Sequence, residues 1–171
     1  SWEALRERAN ELTCDAHAAP QVHAALKRYT EAVLTPEFMI APNWKRCYDK
    51  PLGYPGDFQI MEFLYSGELH GESAFTRLVH RIGLTQPVAA CVPLRMVMLT
   101  EAIVTAVAAG DGAPVRVASL GCGPAREILE VLKAGPLDNP LAVTLIDQDD
   151  RALAHAYNSI YPELSQTEGR A

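Results

Sequence analysis

Two glycines and an acid are the residues of this chain most suited to chemistry. Gly121 and Gly123, in "VRVASLGCGPAREILEVL", stand between an alternating β-branched run and a run of helical period, and Asp147 closes the next apolar run, "LAVTLID". After a parallel strand, the N–H groups of a Gly-rich turn and of the following helix point outward and can cradle an anionic or strongly polar group. A carboxylate at the end of the second strand can accept hydrogen bonds from both hydroxyls of a ribose. Asp149, two positions on, is the weaker candidate for the same work. Strand, G-x-G, helix, strand and terminal acid, in that order, point to a nucleoside-containing ligand.

The turn also says which nucleoside to disfavour. A dinucleotide loop uses a third glycine so that helix and strand pack closely around a pyrophosphate. Pro124 and Ala125 occupy that region here. A ligand whose anionic group is a single amino-acid carboxylate relaxes the demand, and S-adenosyl-L-methionine is such a ligand. Asp147 follows Gly121 by 26 positions (147 − 121), and the loop "GPLDNP" absorbs the excess over a dinucleotide fingerprint. Purely structural alternatives stay open: glycines serve positive φ at a strand-to-helix turn, and Asp147 can cap its own helix.

The elements that must position these residues fall into two regimes, divided by the turn "AGDGAP" (Ala109 to Pro114). Residues 1–110 read as an all-helical region. Trp2 to Leu12 and Pro20 to Leu34 form amphipathic helices, and Thr35 and Pro36 restart a short helix that Pro42 limits. "RCYDKPLGYPGD" (Arg46 to Asp57) reads as a loop, with Asp57 capping a helix that Gly67 closes. A helix around Ser73 to Ile82 follows. The apolar run from Pro87 to Gly110 reads as a buried helix, with Pro93 a kink or a late start. It carries Arg95 and Glu101, each costly at a bilayer centre, so no membrane span is expected.

Residues 111–171 alternate strand, helix, strand, helix, with a crossover long enough to be parallel. Asp149 is placed to cap the last helix. The fold class is α/β, Rossmann-like, with only the first two strands evident and the sheet incomplete, preceded by the helical region.

The 171 residues are 49% hydrophobic with a formal net charge of −6, which argues against a partner of nucleic acid, since that needs a basic face. Cys14, Cys47, Cys91 and Cys122 include no C-x-x-C pair and no metal-ligand spacing with histidine. Free thiols, no metal and a cytoplasmic location are expected. The start, "SWEALRERANEL", has no apolar core of a signal peptide. His17, His23, His70, His80 and His155 are scattered and read as surface residues without catalytic roles.

The segments "VASLGCGPAREILE" and "TLIDQDDRAL" resemble the glycine motif and the following acidic motif of class I S-adenosylmethionine-dependent methyltransferases, over about the last third of the chain. Upstream, "YDKPLGYPGDFQIMEFLY" is similar to a Lys-Pro-x-Gly-Tyr-x-Gly-Asp stretch of a narrower group that includes bacterial 3-hydroxypalmitic acid methyl ester synthases, which make quorum-sensing signals. The resemblance implies a methyltransferase fold with residues 111–171 as the first half of the cofactor domain. It implies that Gly121, Cys122 and Gly123 face the methionine and ribose portion and that Asp147 holds the ribose. Lys50, Gly53, Tyr54, Gly56 and Asp57 match the narrower pattern, implying a lid over the cofactor. The acceptor implied is a small molecule such as a hydroxy fatty acid or its thioester.

A carboxylate acceptor is already deprotonated near neutral pH and needs no general base. It needs a cation or phenol to orient it, and Lys50 and Tyr54 have the best context, ahead of Arg95 and Arg126. Arg95 can equally pair with Glu101, and Arg126 reads as a solvated first-turn residue. Two other readings stand beside the methyltransferase: an NAD-dependent oxidoreductase, disfavoured by the missing glycine, and a non-catalytic helical module for dimerisation or partner binding with a truncated or degenerate nucleotide-binding part.

Overall fold

The computed structural model describes residues 3–4, 7–11 and 20–168. It is mixed helix and sheet, 65% helical, with one two-stranded parallel sheet. Residues 7–11 are helical. Then come α1 (Pro20–Tyr29), a π-helical turn (Thr30–Leu34), α2 (Thr35–Phe38), α3 (Pro42–Asp49), α4 (Phe58–Ser66), α5 (Ala74–Leu84) and α6 (Pro87–Ala108). The chain continues through β1 (Val115–Leu120), α7 (Arg126–Lys133), β2 (Leu141–Ile146) and α8 (Asp150–Glu168). Residues 3–4 are helical as well, while Trp2, Leu5, Arg6 and Leu12 of the expected first helix, and Cys14 and His17, lie outside the described residues.

Local signals explain most boundaries. Asp57 accepts hydrogen bonds from the N–H groups of Gln59 and Ile60 and so opens α4, while left-handed Gly67 ends it. Ser73 caps α5 through the Thr76 N–H at 3.0 Å. One expected loop is corrected: Arg46 to Asp49 belong to α3. Pro42 occupies a first-turn position, where its missing N–H costs nothing, so it starts a helix where a limit was expected.

β1 and β2 pair in register from Val115 with Leu141 to Leu120 with Ile146. Val115, Val117, Leu141, Val143 and Leu145 turn toward a core built from Ile103 and Val107 of α6, Ile128, Leu129 and Val131 of α7, and Ala156 and Ile160 of α8. The last stripe falls at the four-residue spacing of one helix face, with Ala152 also buried. Because α6 contributes to it, the same core runs across the turn at Ala109 to Pro114. Asn139, itself buried, ties that turn down by donating to Val107 O at 2.8 Å and accepting from Gly112 N–H at 2.7 Å.

The expectation of a buried α6 is corrected. Only Ala89, Ile103 and Val107 of this helix are buried, while Val88, Leu94 and Met98 are well over half exposed. A period-spanning apolar helix is covered only on the sides where elements pack, and here α4, α5, α7 and β1 reach part of its circumference. By length and composition alone α6 could cross a bilayer. The opposite face of the sheet, with Ala118, Leu120 and Ile146, is likewise exposed.

His80 is also not a surface residue. It is fully buried, edge-on to Phe63 at 5.2 Å and to His70 at 5.4 Å, and neither ring nitrogen makes a directed hydrogen bond. Burial lowers its pKa below the usual imidazole value, His70 pushes the same way, and the nearby Glu68 backbone opposes. The folded state therefore binds this proton less well than the unfolded chain, so the stability it contributes is present above about pH 6.5 and is lost as pH falls below that. Urea unfolding midpoints should drop between about pH 7.5 and about pH 5.5, and His80→Phe should flatten that slope. An unchanged slope in His80→Phe would assign the pH dependence to other groups.

Candidate functional site

The chain leaves β1 through Gly121 at φ +61° and Gly123 at φ +52°, then enters α7 from Ala125 at φ +48°. An L residue pays about 1–2 kcal/mol in this region, which glycine avoids. A Cβ built on either glycine would meet nothing within 4 Å. The space that a side chain would fill is open.

Part of the expected row of outward donors is turned inward, while no acceptor is seen among the described residues for the N–H groups of Gly121 and of Arg126 and Glu127 in the first turn of α7. Cys122 N–H donates to Ile146 O at 3.1 Å, Gly123 N–H to Asp147 Oδ2 at 2.8 Å, and Ala125 N–H to Cys122 O at 2.8 Å. Pro124 has no N–H to offer. Of these donors, the first two fasten the loop to the end of β2 and the third closes the loop on itself, so the middle of the loop gives a ligand room for close approach and the remaining donors lie at Gly121 and the first turn of α7.

Asp147 consequently has a structural role as well as a candidate binding role. Its Oδ2 holds Gly123, and its Oδ1 accepts from Asp149 N–H at 2.9 Å. An ionised carboxylate has about four acceptor sites, so each oxygen keeps one for a ribose hydroxyl. Asp149 caps α8 through Arg151 N–H at 3.0 Å, and its Oδ2 lies 3.5 Å from the Tyr54 hydroxyl. Burial and the neighbouring Asp149, Asp147 and Asp57 carboxylates raise the pKa of Tyr54, which keeps the phenol protonated as a donor.

A cleft of about 730 Å³ opens over these groups. One wall is the glycine loop with Asp147, and the other is Tyr54, Gly56, Met61 and Tyr65 with Arg95 and Leu99 of α6. Cys122 is buried beneath it; burial first, then Asp147 and Glu127, push its thiol pKa up, so it is neutral and small. Glu127 is buried in the first turn of α7, where its Oε1 accepts from Ser119 Oγ at 3.0 Å. Sequence reasoning missed Glu127, Ser119 and Tyr65. The signal for Glu127 was an acid in the first turn after a glycine loop, favourable at a helix N-terminus.

The structure separates the other candidates. Lys50 does not line the cleft: it is exposed, left-handed at φ 47°, and ends α3 by donating its N–H to Arg46 O. Asp57 is 1% exposed, caps α4 and pairs with Arg46, whose Nε lies 2.8 Å from the carboxylate. Of the Lys-Pro-Leu-Gly-Tyr-Pro-Gly-Asp stretch, Tyr54 and Gly56 reach the cleft. Arg126 is half-buried, bonded to Glu130 at 2.8 Å and 4.0 Å from Glu62, which corrects its solvated reading. Arg95 does not pair with Glu101. Six residues on a helix are about 9 Å apart along the axis and well round from each other. Arg95 instead stands in the cleft against the Tyr65 hydroxyl, holding that phenol's pKa down against the larger effect of burial.

A second cavity, of about 460 Å³, lies behind the Gly56 wall between α3, α4 and α6, lined by apolar groups such as Trp44, Ile60, Leu64, Leu84 and Val92. Cys47 borders it, its thiol pKa raised by burial and by Asp57. Among the described residues no three His, Cys, Asp or Glu side chains cluster as metal ligands. Comparison of the chain with protein-family models, with curated proteins and with solved structures returns no match.

Proposed function

We propose that this chain binds S-adenosylmethionine in the larger cleft, within a Rossmann-like methyltransferase fold, and transfers its methyl group to a small, carboxylate-bearing acceptor of fatty-acid type. One observation carries the reading: two left-handed glycines present open space to a cleft of about 730 Å³ and share its wall with the β2-terminal carboxylate Asp147. That volume is in the range of small-molecule sites, about 300–1,000 Å³. Inward use of the loop N–H groups favours a ligand without pyrophosphate, which sets the NAD reading below this one.

The cofactor would supply an electrophilic methyl on a sulfonium. In the transfer, an acceptor oxygen lone pair forms the new O–C bond while the C–S electrons return to sulfur, leaving a neutral thioether. Little side-chain chemistry is required beyond alignment and exclusion of water. Asp147 would hold the ribose hydroxyls, Gly121 and Gly123 would admit the donor closely, and Tyr54 would close over it. The apolar cavity sharing Gly56 with the cleft supports an acceptor with an aliphatic body.

Calorimetric titration with S-adenosylhomocysteine tests this. Saturable binding, with none for NAD(H), is the expected result. Binding of neither by the folded chain would favour the non-catalytic module, in keeping with the exposed apolar face of α6.

A further inference from the structure

The apolar face that α6 turns to solvent has a centre. Met98 stands nine positions from both Ala89 and Val107, two and a half helical turns, so it points directly away from two of the residues this helix buries. It is 61% exposed. Cys91, Leu94, Arg95, Glu101, Ala102 and Thr105 fall within about 60° of the same line, and all are exposed. The helix is about 33 Å long over its 22 residues, and exposed Val88 and Val97 widen its apolar surface. A contiguous apolar surface of this kind marks an interaction site.

What covers it follows from the order of residues along it. Arg95 and Glu101 stand three positions to either side of Met98, Leu94 and Ala102 four, and Cys91 and Thr105 seven. An antiparallel pair of these helices, related by a twofold axis beside Met98, sets Arg95 of each copy level with Glu101 of the other. It also sets Leu94 level with Ala102, a large side chain opposite a small one, and Met98 against Met98, a side chain flexible enough to pack on itself. Neither Arg95 nor Glu101 has an ion-pair partner among the described residues. Charge also decides against a bilayer, which the length of α6 would permit. Lipid would bury both ions near midspan without a partner, at a cost that a second copy removes by pairing each with its opposite.

We propose that α6 is the contact of a twofold homodimer, antiparallel about Met98, in which Arg95 of each copy pairs with Glu101 of the other. Because Arg95 also lines the larger cleft, the contact brings a carboxylate of the second copy to the rim of that cleft. The dimer is independent of what the cleft binds and is compatible with a catalytic or a non-catalytic chain.

Sedimentation velocity of the full chain over a range of concentrations tests this, with circular dichroism verifying the fold of each variant. The wild-type chain should dimerise. Met98→Glu, which sets two like charges against each other at the axis, should weaken the dimer by at least roughly a hundredfold. Arg95→Glu and Glu101→Arg should each weaken it roughly tenfold, and the double exchange should restore it, a recovery that only facing residues give. Oxidative cross-linking reads the register in a chain carrying Cys14→Ser and Cys91→Ser. Adding Met98→Cys should yield a disulfide-linked dimer, whereas Leu94→Cys, whose copies stand about 12 Å apart along the pair, should not. A monomer at every concentration, a dimer indifferent to Met98→Glu, or equal cross-linking at both positions overturns the proposal. A monomer that instead binds phosphatidylcholine vesicles overturns it too and assigns the face to a membrane.

Discussion

Asp57→Ala is expected to lower the thermal midpoint by about 6–12 °C, on the basis of about 3 kcal/mol lost and about 2–4 °C per kcal/mol for a chain of this size. Two effects combine. The variant removes the cap on the Gln59 and Ile60 N–H groups, which alone costs about 0.5–2 kcal/mol. It also strands Arg46, whose guanidinium is about a fifth exposed and has Asp57 as its carboxylate partner. Breaking a buried pair by deleting one member costs about 3–5 kcal/mol, and the partial exposure of Arg46 sets the expectation at the lower end. Asp57→Asn should fall between, because the amide oxygen still caps while the charge is gone. Differential scanning calorimetry of the two variants reads this directly. A normal midpoint in Asp57→Ala together with lost S-adenosylhomocysteine binding would move Asp57 from scaffold to ligand contact.

That contrast bears on how sequence motifs divide their labour. In Lys-Pro-Leu-Gly-Tyr-Pro-Gly-Asp, the residue types at both ends are charged and invite a chemical reading, yet Lys50 serves through its backbone and Asp57 through a buried cap. The middle residues, Tyr54 and Gly56, line the cleft. Motif matching reports which residues belong together; it does not report which of them point at a ligand, because that depends on where α3 ends and α4 begins.

The β1–α7–β2 order and the caps at Asp57 and Asp149 were legible because they rest on local physics: alternation, helical period, side-chain acceptors within three residues, and glycine at positive φ. The burial of α6 and His80 was not, since both depend on which distant elements pack against them. An apolar helix has the same sequence whether covered on all sides or on some. His80 offers no local clue either; its buried position follows from Phe63 of α4 and from His70, ten positions back. Arg95 was left between a cleft role and a pair with Glu101 for a related reason. Pairing with Glu101 was a one-dimensional inference, whereas its position in the cleft depends on α6 crossing beside α4 and α7.

Gly121→Ala is expected to separate folding from binding. At φ +61° an alanine costs about 1–2 kcal/mol of backbone strain, but its methyl would meet no protein atom within 4 Å, so the chain should still fold. Gly121 lines the cleft, so under the proposed function the same methyl enters the space assigned to the ligand. Overfilling a closely packed site by one methyl costs about 1–3 kcal/mol, a roughly five- to hundredfold loss of affinity. S-adenosylhomocysteine should therefore bind Gly121→Ala much more weakly although the thermal midpoint falls by only about 2–8 °C. Gly67→Ala, at the left-handed glycine that ends α4 (φ +64°), outside the cleft and also with open space around its Cβ, is the control: comparable strain, no effect on affinity. If both variants bind as wild type does, the glycines at 121 and 123 serve chain geometry alone, and the space beside them is not where the nucleoside lies. If Gly121→Ala alone loses affinity, close approach to the backbone is what the turn supplies, which is why two glycines suffice where a pyrophosphate would have required a third.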